Sequence, residues 1–411
     1  MAHPHRHGSK GNGNGRPPVD FDQSPFLVIW ETTQACGLAC KHCRASAVPD
    51  RHPDELTTDE AKQMLTRIRD FGPIIFVFSG GDCMRRPDIV ELVEYGANLG
   101  LRMAATPATT DLTDRTMLQR LKDAGLSRVA VSLDGSNPEI HDAFRRVEGS
   151  FDAGLRILRD SQAIGMTTQV NTVIGRHNID DIDSLMQLMT DVGIVFWEVF
   201  FLVPMGRAKP EDVASAAEFE EVFNKLYDLS KTAPFDIKAT AAPQYSRVVL
   251  ERQVAERRSG ERTAAPSPLT SGLHHSEKDG IGRARGVNDG DGFMFVSHLG
   301  DIYPSGFLPV AAGNVRRDDL VDVYRNAPLF RRLRDRTQLK GKCNVCEYRP
   351  VCGGSRARAF AMTGDYMEAE PFCAHIPPKW QRMLDEGMVE DVDTYFARRN
   401  RWTRGLPVHQ T

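Results

Sequence analysis

The chain has 411 residues, 41% of them hydrophobic, which suits two or three packed domains. Its 52 Lys and Arg nearly balance 55 Asp and Glu, and a net charge of −3 gives no general attraction to nucleic acid or to an anionic membrane. No run of about 18 apolar residues exists, which excludes a membrane-spanning helix. The eight cysteines fall as Cys36, Cys40 and Cys43, then Cys83 alone, then Cys343, Cys346, Cys352 and Cys373. That is the grouping of metal ligands rather than of a disulfide framework. With no secretory leader evident, it points to a reducing, cytoplasmic compartment.

Residues 1–22 are rich in Gly, His and Pro and lack apolar periodicity, so a disordered tail is expected. His3, His5 and His7 alternate within it and read as solvated side chains. The apolar run 26–30 predicts a buried strand, and the cysteine-bearing segment TTQACGLACKHCRAS follows as a loop. Strands are then predicted at 74–78, 101–106, 127–133, 167–174 and 196–203, with helices at 88–99, 112–124, 151–164 and 179–192. Glycines at 100, 125, 165 and 193 stop those helices. Six strands alternating with helices argue for a parallel α/β sheet, either a barrel or an open doubly wound sheet. Residues 256–291 are polar and rich in Gly, Ser and Pro, and read as a mobile linker or a substrate lid. From Gly292 a cysteine-rich module begins, and a charged tail follows residue 390.

Three thiolates at C-x3-C-x2-C spacing are close to the smallest cage for a metal cluster. A 4Fe–4S cluster takes one ligand per iron, so three cysteines leave one iron open to a small molecule. Zinc or free thiols are the alternatives. His42 directly precedes Cys43, and adjacent residues rarely reach one small ion together. Gly80 and Gly81 end a strand and let a ligand approach the backbone. Cys83 reads as a small buried hydrophobe. Trp30, Phe196 and Trp197 read as core, and Glu31 and Glu198, which follow aromatic strand residues, either face a cavity or are surface carboxylates. The C-terminal pattern C-x2-C-x5-C-G-G, with Cys373 following Pro371-Phe372, could close a cluster fully or hold zinc.

With Ser79-Gly80-Gly81-Asp82, Ser132-Leu133-Asp134-Gly135 and the C-terminal cysteines in this order, the chain resembles the radical SAM enzymes with a SPASM or twitch extension. The resemblance covers about residues 24–380. It implies a partial (β/α)6 TIM-type barrel followed by a small cysteine-rich domain, divided as a tail 1–22, a core 23–240, a connecting segment 241–291, an iron–sulfur domain 292–390 and a tail 391–411. It implies that Cys36, Cys40 and Cys43 hold a catalytic 4Fe–4S cluster whose open iron chelates S-adenosylmethionine (SAM). One-electron reduction then releases a 5′-deoxyadenosyl radical that takes hydrogen from the substrate. It further implies that Gly80, Gly81 and Asp82 face the SAM amino group, Ser132, Asp134 and Arg145 its carboxylate and ribose, and Asn171 and Val203 its ribose and adenine. Arg146 competes with Arg145 for that role. Cys343, Cys346, Cys352 and Cys373 match one auxiliary 4Fe–4S cluster. Ser305 stands where a two-cluster SPASM domain has a further cysteine.

Within the family, Trp30-Glu31-x-Thr33, Arg44-Ala45-Ser46, Phe200-Phe201-Leu202-Val203-Pro204-x-Gly206-Arg207 and Asp301-Ile302-Tyr303-Pro304-Ser305-Gly306-Phe307 look most like the haem-branch members. Some of these decarboxylate coproporphyrin propionates. The expected substrate is therefore a tetrapyrrole side chain, with a peptide as the alternative, as in pyrroloquinoline-quinone and mycofactocin maturases. A reductant such as flavodoxin or ferredoxin is the implied partner, with no nucleic acid and no membrane. An iron–sulfur electron carrier or zinc scaffold is the non-enzyme alternative.

Overall fold

Val28 and Trp30 are wholly buried on one face of the first strand, while Leu27 and Ile29 face a cavity on the other. This period of two is what an extended chain imposes, and it repeats through the strands that follow. In this computed structural model, residues 20–72, 74–260, 273–275, 278–279, 281–284 and 286–402 are described. The expected tail up to residue 19, with His3, His5 and His7, lies outside the described residues, as do 261–272 of the expected linker and the chain from 403.

Strands β1 (Leu27–Glu31), β2 (Ile75–Ser79), β3 (Arg102–Ala105), β4 (Arg128–Ser132), β5 (Thr167–Ile174), β6 (Phe196–Phe201) and β7 (Asp236–Thr240) pair in sequence order and run parallel. A separate antiparallel hairpin joins β8 (Leu273–His275) to β9 (Gly282–Ala284). Strand β10 (Phe293–Val296) then returns to lie parallel to β1, and β11 (Asp301–Tyr303) and β12 (Gly313–Asn314) add antiparallel beyond it. The order is β12-β11-β10-β1-β2-β3-β4-β5-β6-β7.

The expected six parallel strands are thus eight, because β7 and β10 join the sheet. Strand β7 has no apolar run to announce it: Asp236, Lys238 and Thr240 all turn toward the cavity. Ile29, Val77, Ala104, Ala130, Asn171, Glu198 and Lys238, one from each of β1 to β7, line that same cavity. The sheet therefore wraps around it as a partial barrel.

Helices cover the outer face and are fixed by local chemistry. Thr57 and Glu60 form a reciprocal capping box at the start of helix Thr58–Ile68, and Met64, Leu65 and Ile68 on its inner side are buried. The side chains of Asp114 and Asn137 cap helices Arg115–Asp123 and Pro138–Arg145. Such caps satisfy amide groups that the helix leaves free. The predicted helix 179–192 begins as a short 3-10 turn, Ile179–Asp181, before Ile182–Val192. Phe76, Phe78, Leu92, Leu121, Leu158 and Leu185 are among the fully enclosed side chains of the core. Each contributes about 1.5–3 kcal/mol by leaving water. Among the described residues, no helix is long and apolar enough to cross a membrane.

Candidate active site

The cysteine loop leaves β1 and is pinned at both ends. Ala35 bridges to Val48, and Cys36 N–H donates to Val48 O at 2.8 Å. Each of its three sulfurs accepts one hydrogen bond. Leu38 N–H reaches Cys36 Sγ at 3.3 Å, Ala47 N–H reaches Cys43 Sγ at 3.3 Å, and Arg145 Nη1 reaches Cys40 Sγ at 3.7 Å. These donors favour thiolates, the form that binds metal. Burial, followed by the neighbouring Asp82 and thiols, pushes Cys36 up to about 11. Ligation would therefore release a proton there.

Gly80 and Gly81 let the end of β2 lie flat against this loop. Gly80 has φ of 146°, and a Cβ there would sit 2.6 Å from Thr33 O. A Cβ on Gly81 would overlap Ala35 O. Gly81 N–H donates to Thr33 O and Asp82 N–H to Ala35 O, both at 2.7 Å. Any side chain at either glycine would push the two motifs apart.

The three cysteines, Gly80, Gly81, Ser132, Arg145, Asn171 and Val203 all line one cavity of about 470 Å³. Asp82 and Asp134 do not line it. Asp82 is enclosed and accepts from Thr110 Oγ1 at 2.8 Å, Met84 N–H at 3.1 Å and Ala108 N–H at 3.3 Å, so it ties the β2 end to the segment after β3. Asp134 is enclosed too. It accepts from Arg145 Nε at 2.6 Å and from Val173 N–H at 2.7 Å. Although burial opposes ionisation, Arg145 holds this carboxylate well below the usual range. Asp134 thus aims Arg145 at Cys40. Arg146 is exposed and caps its helix in the left-handed conformation, with φ of 57°. Of the two arginines, Arg145 is the one at the cavity.

His42 lines the cavity and stacks on Phe144, with ring centroids 4.4 Å apart. Burial, then Arg145, pushes its pKa down to about 3, so the ring is neutral. Cys83 is fully enclosed, and burial pushes its thiol well up. Trp30 and Trp197 are core, whereas Phe196 lines the cavity. Of the two readings left open for Glu31 and Glu198, the surface one fails, since both carboxylates turn inward. Glu31 pairs with Arg44 and with His298 Nδ1 at 3.0 Å. Glu198 lines the cavity and accepts from Lys238 at 2.8 Å and Thr240 at 2.6 Å. Only the partners, from β7 and from beyond β10, show why these carboxylates turn inward.

Cys343, Cys346, Cys352 and Cys373 line one second, small cavity, and Cys352 borders the large one as well. Glu370 N–H reaches Cys343 Sγ and Gly354 N–H reaches Cys352 Sγ, each at 3.4 Å. Burial pushes Cys346 and Cys373 up to about 11. Among the described residues, the one set of three ligand atoms within 4.8 Å of one another is Cys346, Glu347 and His375, not three cysteines. A tetrahedral zinc–thiolate site would bring its sulfurs to about 3.8 Å. The donor sets themselves, three sulfurs in one group and four in the other, are ones that an iron–sulfur core takes.

A parallel barrel whose strand ends open onto three cysteines, a glycine turn and a cavity has the layout of an enzyme site built around a metal–sulfur centre. The profile of the family described as Radical SAM superfamily matches residues 30–189. The chain is 40% identical over 364 residues to the AdoMet-dependent heme synthase of Methanosarcina barkeri (strain Fusaro / DSM 804), covering 88% of this chain and 99% of that protein. To the AdoMet-dependent heme synthase of Nitratidesulfovibrio vulgaris (strain ATCC 29579 / DSM 644 / CCUG 34227 / NCIMB 8303 / VKM B-1760 / Hildenborough) it is 39% identical over 378 residues, covering 92% and 98%. The fold is similar to that of Streptococcus suis SuiB bound to S-adenosylmethionine, with a TM-score of 0.64 at 17% identity over 86% of this chain and 78% of that one. The chain belongs to the radical SAM superfamily and is an enzyme of that class, which binds a 4Fe–4S cluster and SAM.

Proposed function

We propose that this enzyme modifies the carboxylated side chains of a tetrapyrrole, as an oxidative decarboxylation of propionates of the haem-biosynthesis type. The observation that carries the reading is the make-up of the cavity into which the cysteine loop opens. Phe26, Phe196, Phe200, Phe293, Phe295 and Phe307 supply aromatic surface, and Arg44, Arg128, Arg145, Arg207 and Lys238 supply positive charge. Flat apolar walls with cations among them suit a planar, polycarboxylate ring. The end-to-end likeness to proteins named as heme synthases supports the same reading.

Cys36, Cys40 and Cys43 would hold the catalytic cluster, and Cys343, Cys346, Cys352 and Cys373 one auxiliary cluster. With SAM bound and one electron supplied, by a flavodoxin or ferredoxin in this reading, the cluster provides a 5′-deoxyadenosyl radical for hydrogen abstraction. The protein's part is placement. Gly80 and Gly81 let the end of β2 lie flat against the cluster loop, and this strand end is the side from which the SAM amino group would be held. Ser132 and Arg145 face its carboxylate, and Asn171 and Val203 border its nucleoside. Asp134 fixes the guanidinium of Arg145 so that it need not reorganise. Arg44 stacks on Phe295, its guanidinium carbon 4.6 Å from the ring centroid, and closes one side of the cavity. The phenylalanine wall offers apolar surface against which the substrate ring can be held.

The test is anaerobic turnover of reconstituted full-length protein with dithionite, SAM and iron coproporphyrin III. Formation of 5′-deoxyadenosine matched by release of carbon dioxide supports the reading. Cleavage of SAM that leaves the tetrapyrrole unchanged contradicts it and favours the peptide alternative.

A further inference from the structure

Of the five cations lining the large cavity, four are matched by carboxylates of the protein itself. Arg44 pairs with Glu31, Arg128 with Asp279 at 2.8 Å, Arg145 with Asp134 at 2.5 Å, and Lys238 with Glu198 at 2.8 Å. Arg207 is the exception. Its Nε and one terminal nitrogen, Nη2, are buried without any hydrogen-bond partner among the described residues. A guanidinium is charged at any working pH and needs acceptors for its five donors. Leaving it enclosed and unmatched is costly, so the site is built to receive an acceptor from outside the chain.

The backbone fixes where that acceptor must lie. Gly206 has φ of 59°, and a Cβ there would overlap Cys43 O and Arg44 O, so the turn after β6 rests directly on the cysteine loop. Arg207 N–H donates to Cys43 O at 3.0 Å. The guanidinium is therefore held within one side chain's reach of the cysteine loop. It comes from the β6 side, whereas Ser132 and Arg145, assigned above to the SAM carboxylate, come from β4 and the helix after it.

We propose that Arg207 is a substrate-binding residue that receives a carboxylate of the substrate beside the cluster loop, in the tetrapyrrole reading the propionate positioned for reaction. The assignment rests on that reading. A planar fork suits a carboxylate through two parallel hydrogen bonds, which selects a propionate over an ester or an alkyl chain at that corner of the ring.

The test uses anaerobically reconstituted full-length protein and the variants Arg207→Gln and Arg207→Lys, each checked for iron content. Iron coproporphyrin III is titrated by its Soret band, and SAM by equilibrium dialysis. Loss of a charge-assisted pair predicts tetrapyrrole binding weakened by about 10- to 100-fold in Arg207→Gln, partly restored in Arg207→Lys, with a much smaller change for SAM. Wild type that binds the tetrapyrrole while Arg207→Gln binds it equally well overturns this assignment alone. A loss of SAM affinity as large as the loss for the tetrapyrrole also overturns it, giving Arg207 to the SAM carboxylate. Wild type that ignores the tetrapyrrole contradicts the tetrapyrrole reading and this assignment with it.

Discussion

Arg358 and Glu370 pair at 2.8 Å with neither side chain exposed, between the auxiliary cysteines and the barrel. Arg358 also donates to Phe201 O at 3.1 Å, Leu202 O at 3.2 Å and Ala241 O at 2.7 Å, the chain ends that leave β6 and β7. Glu370 accepts from Ser355 N–H at 2.9 Å and Phe372 N–H at 3.0 Å, on either side of the C-terminal cysteine site. One buried ion pair thus clamps the cysteine-rich segment onto the cavity wall.

Arg358→Met leaves Glu370 enclosed without its cation, and removing one partner of such a pair costs about 3–5 kcal/mol. Denaturant unfolding should show that loss, together with auxiliary iron released before barrel iron. The double replacement Arg358→Met with Glu370→Leu should recover much of the stability. A loss under about 1 kcal/mol for the single variant means that the clamp is not structural.

Ser305 bears on how many auxiliary clusters the chain holds. Its hydroxyl donates to Asp289, whose other oxygen accepts Ala357 N–H at 3.0 Å at the start of helix Arg356–Thr363. Ser305, which stands where the family resemblance implies a further cysteine in two-cluster members, is thus tied into a buried polar link. Ser305→Cys should leave iron at about eight atoms per chain, two four-iron clusters, and should lower stability by about 1–2 kcal/mol through the weakened hydrogen bond. A gain of iron in that variant contradicts the one-cluster assignment.

His141 and His177 set an acid limit. Burial holds both near a pKa of about 4, below the ordinary 6.5, and His141 Nδ1 accepts Asp134 N–H at 2.9 Å in the neutral form. The unfolded chain binds more protons between those values, so stability is full above pH 6.5 and falls as pH drops toward 4. Each group contributes on the order of 3 kcal/mol to that fall. His177 stacks on Phe144 at 3.4 Å between centroids, so His177→Phe keeps the packing and, with His42 and His141 still titrating, should flatten the slope of unfolding free energy against pH by roughly a third. An unchanged slope means that these rings do not control it.

Individual strands are legible wherever apolar periodicity is strong, whereas periodicity leaves barrel and open sheet equally possible, and only the family resemblance points to the barrel. The predicted strand 167–174 coincides with β5, and the cysteine loop and the Gly80-Gly81 turn fall at strand ends. Helix Thr58–Ile68 is marked in the sequence by its Thr57–Glu60 capping box, a signal that apolar periodicity alone passes over. Strand β10 pairs with β1 across more than 260 residues, as Leu27 with Phe293, and no local pattern encodes such a partner. The inward turns of Glu31 and Glu198 depend on His298 and Lys238 in the same way. Local sequence reports propensity and motif chemistry, whereas the polarity of the cavity is settled by which distant strands meet.

The vacant iron can be tested directly. In a variant with Cys343, Cys346 and Cys373 replaced by alanine, reconstituted protein should keep about four irons, and its dithionite-reduced electron paramagnetic resonance spectrum should change when SAM is added. A spectrum that is identical with and without SAM would contradict an open coordination position at Cys36, Cys40 and Cys43.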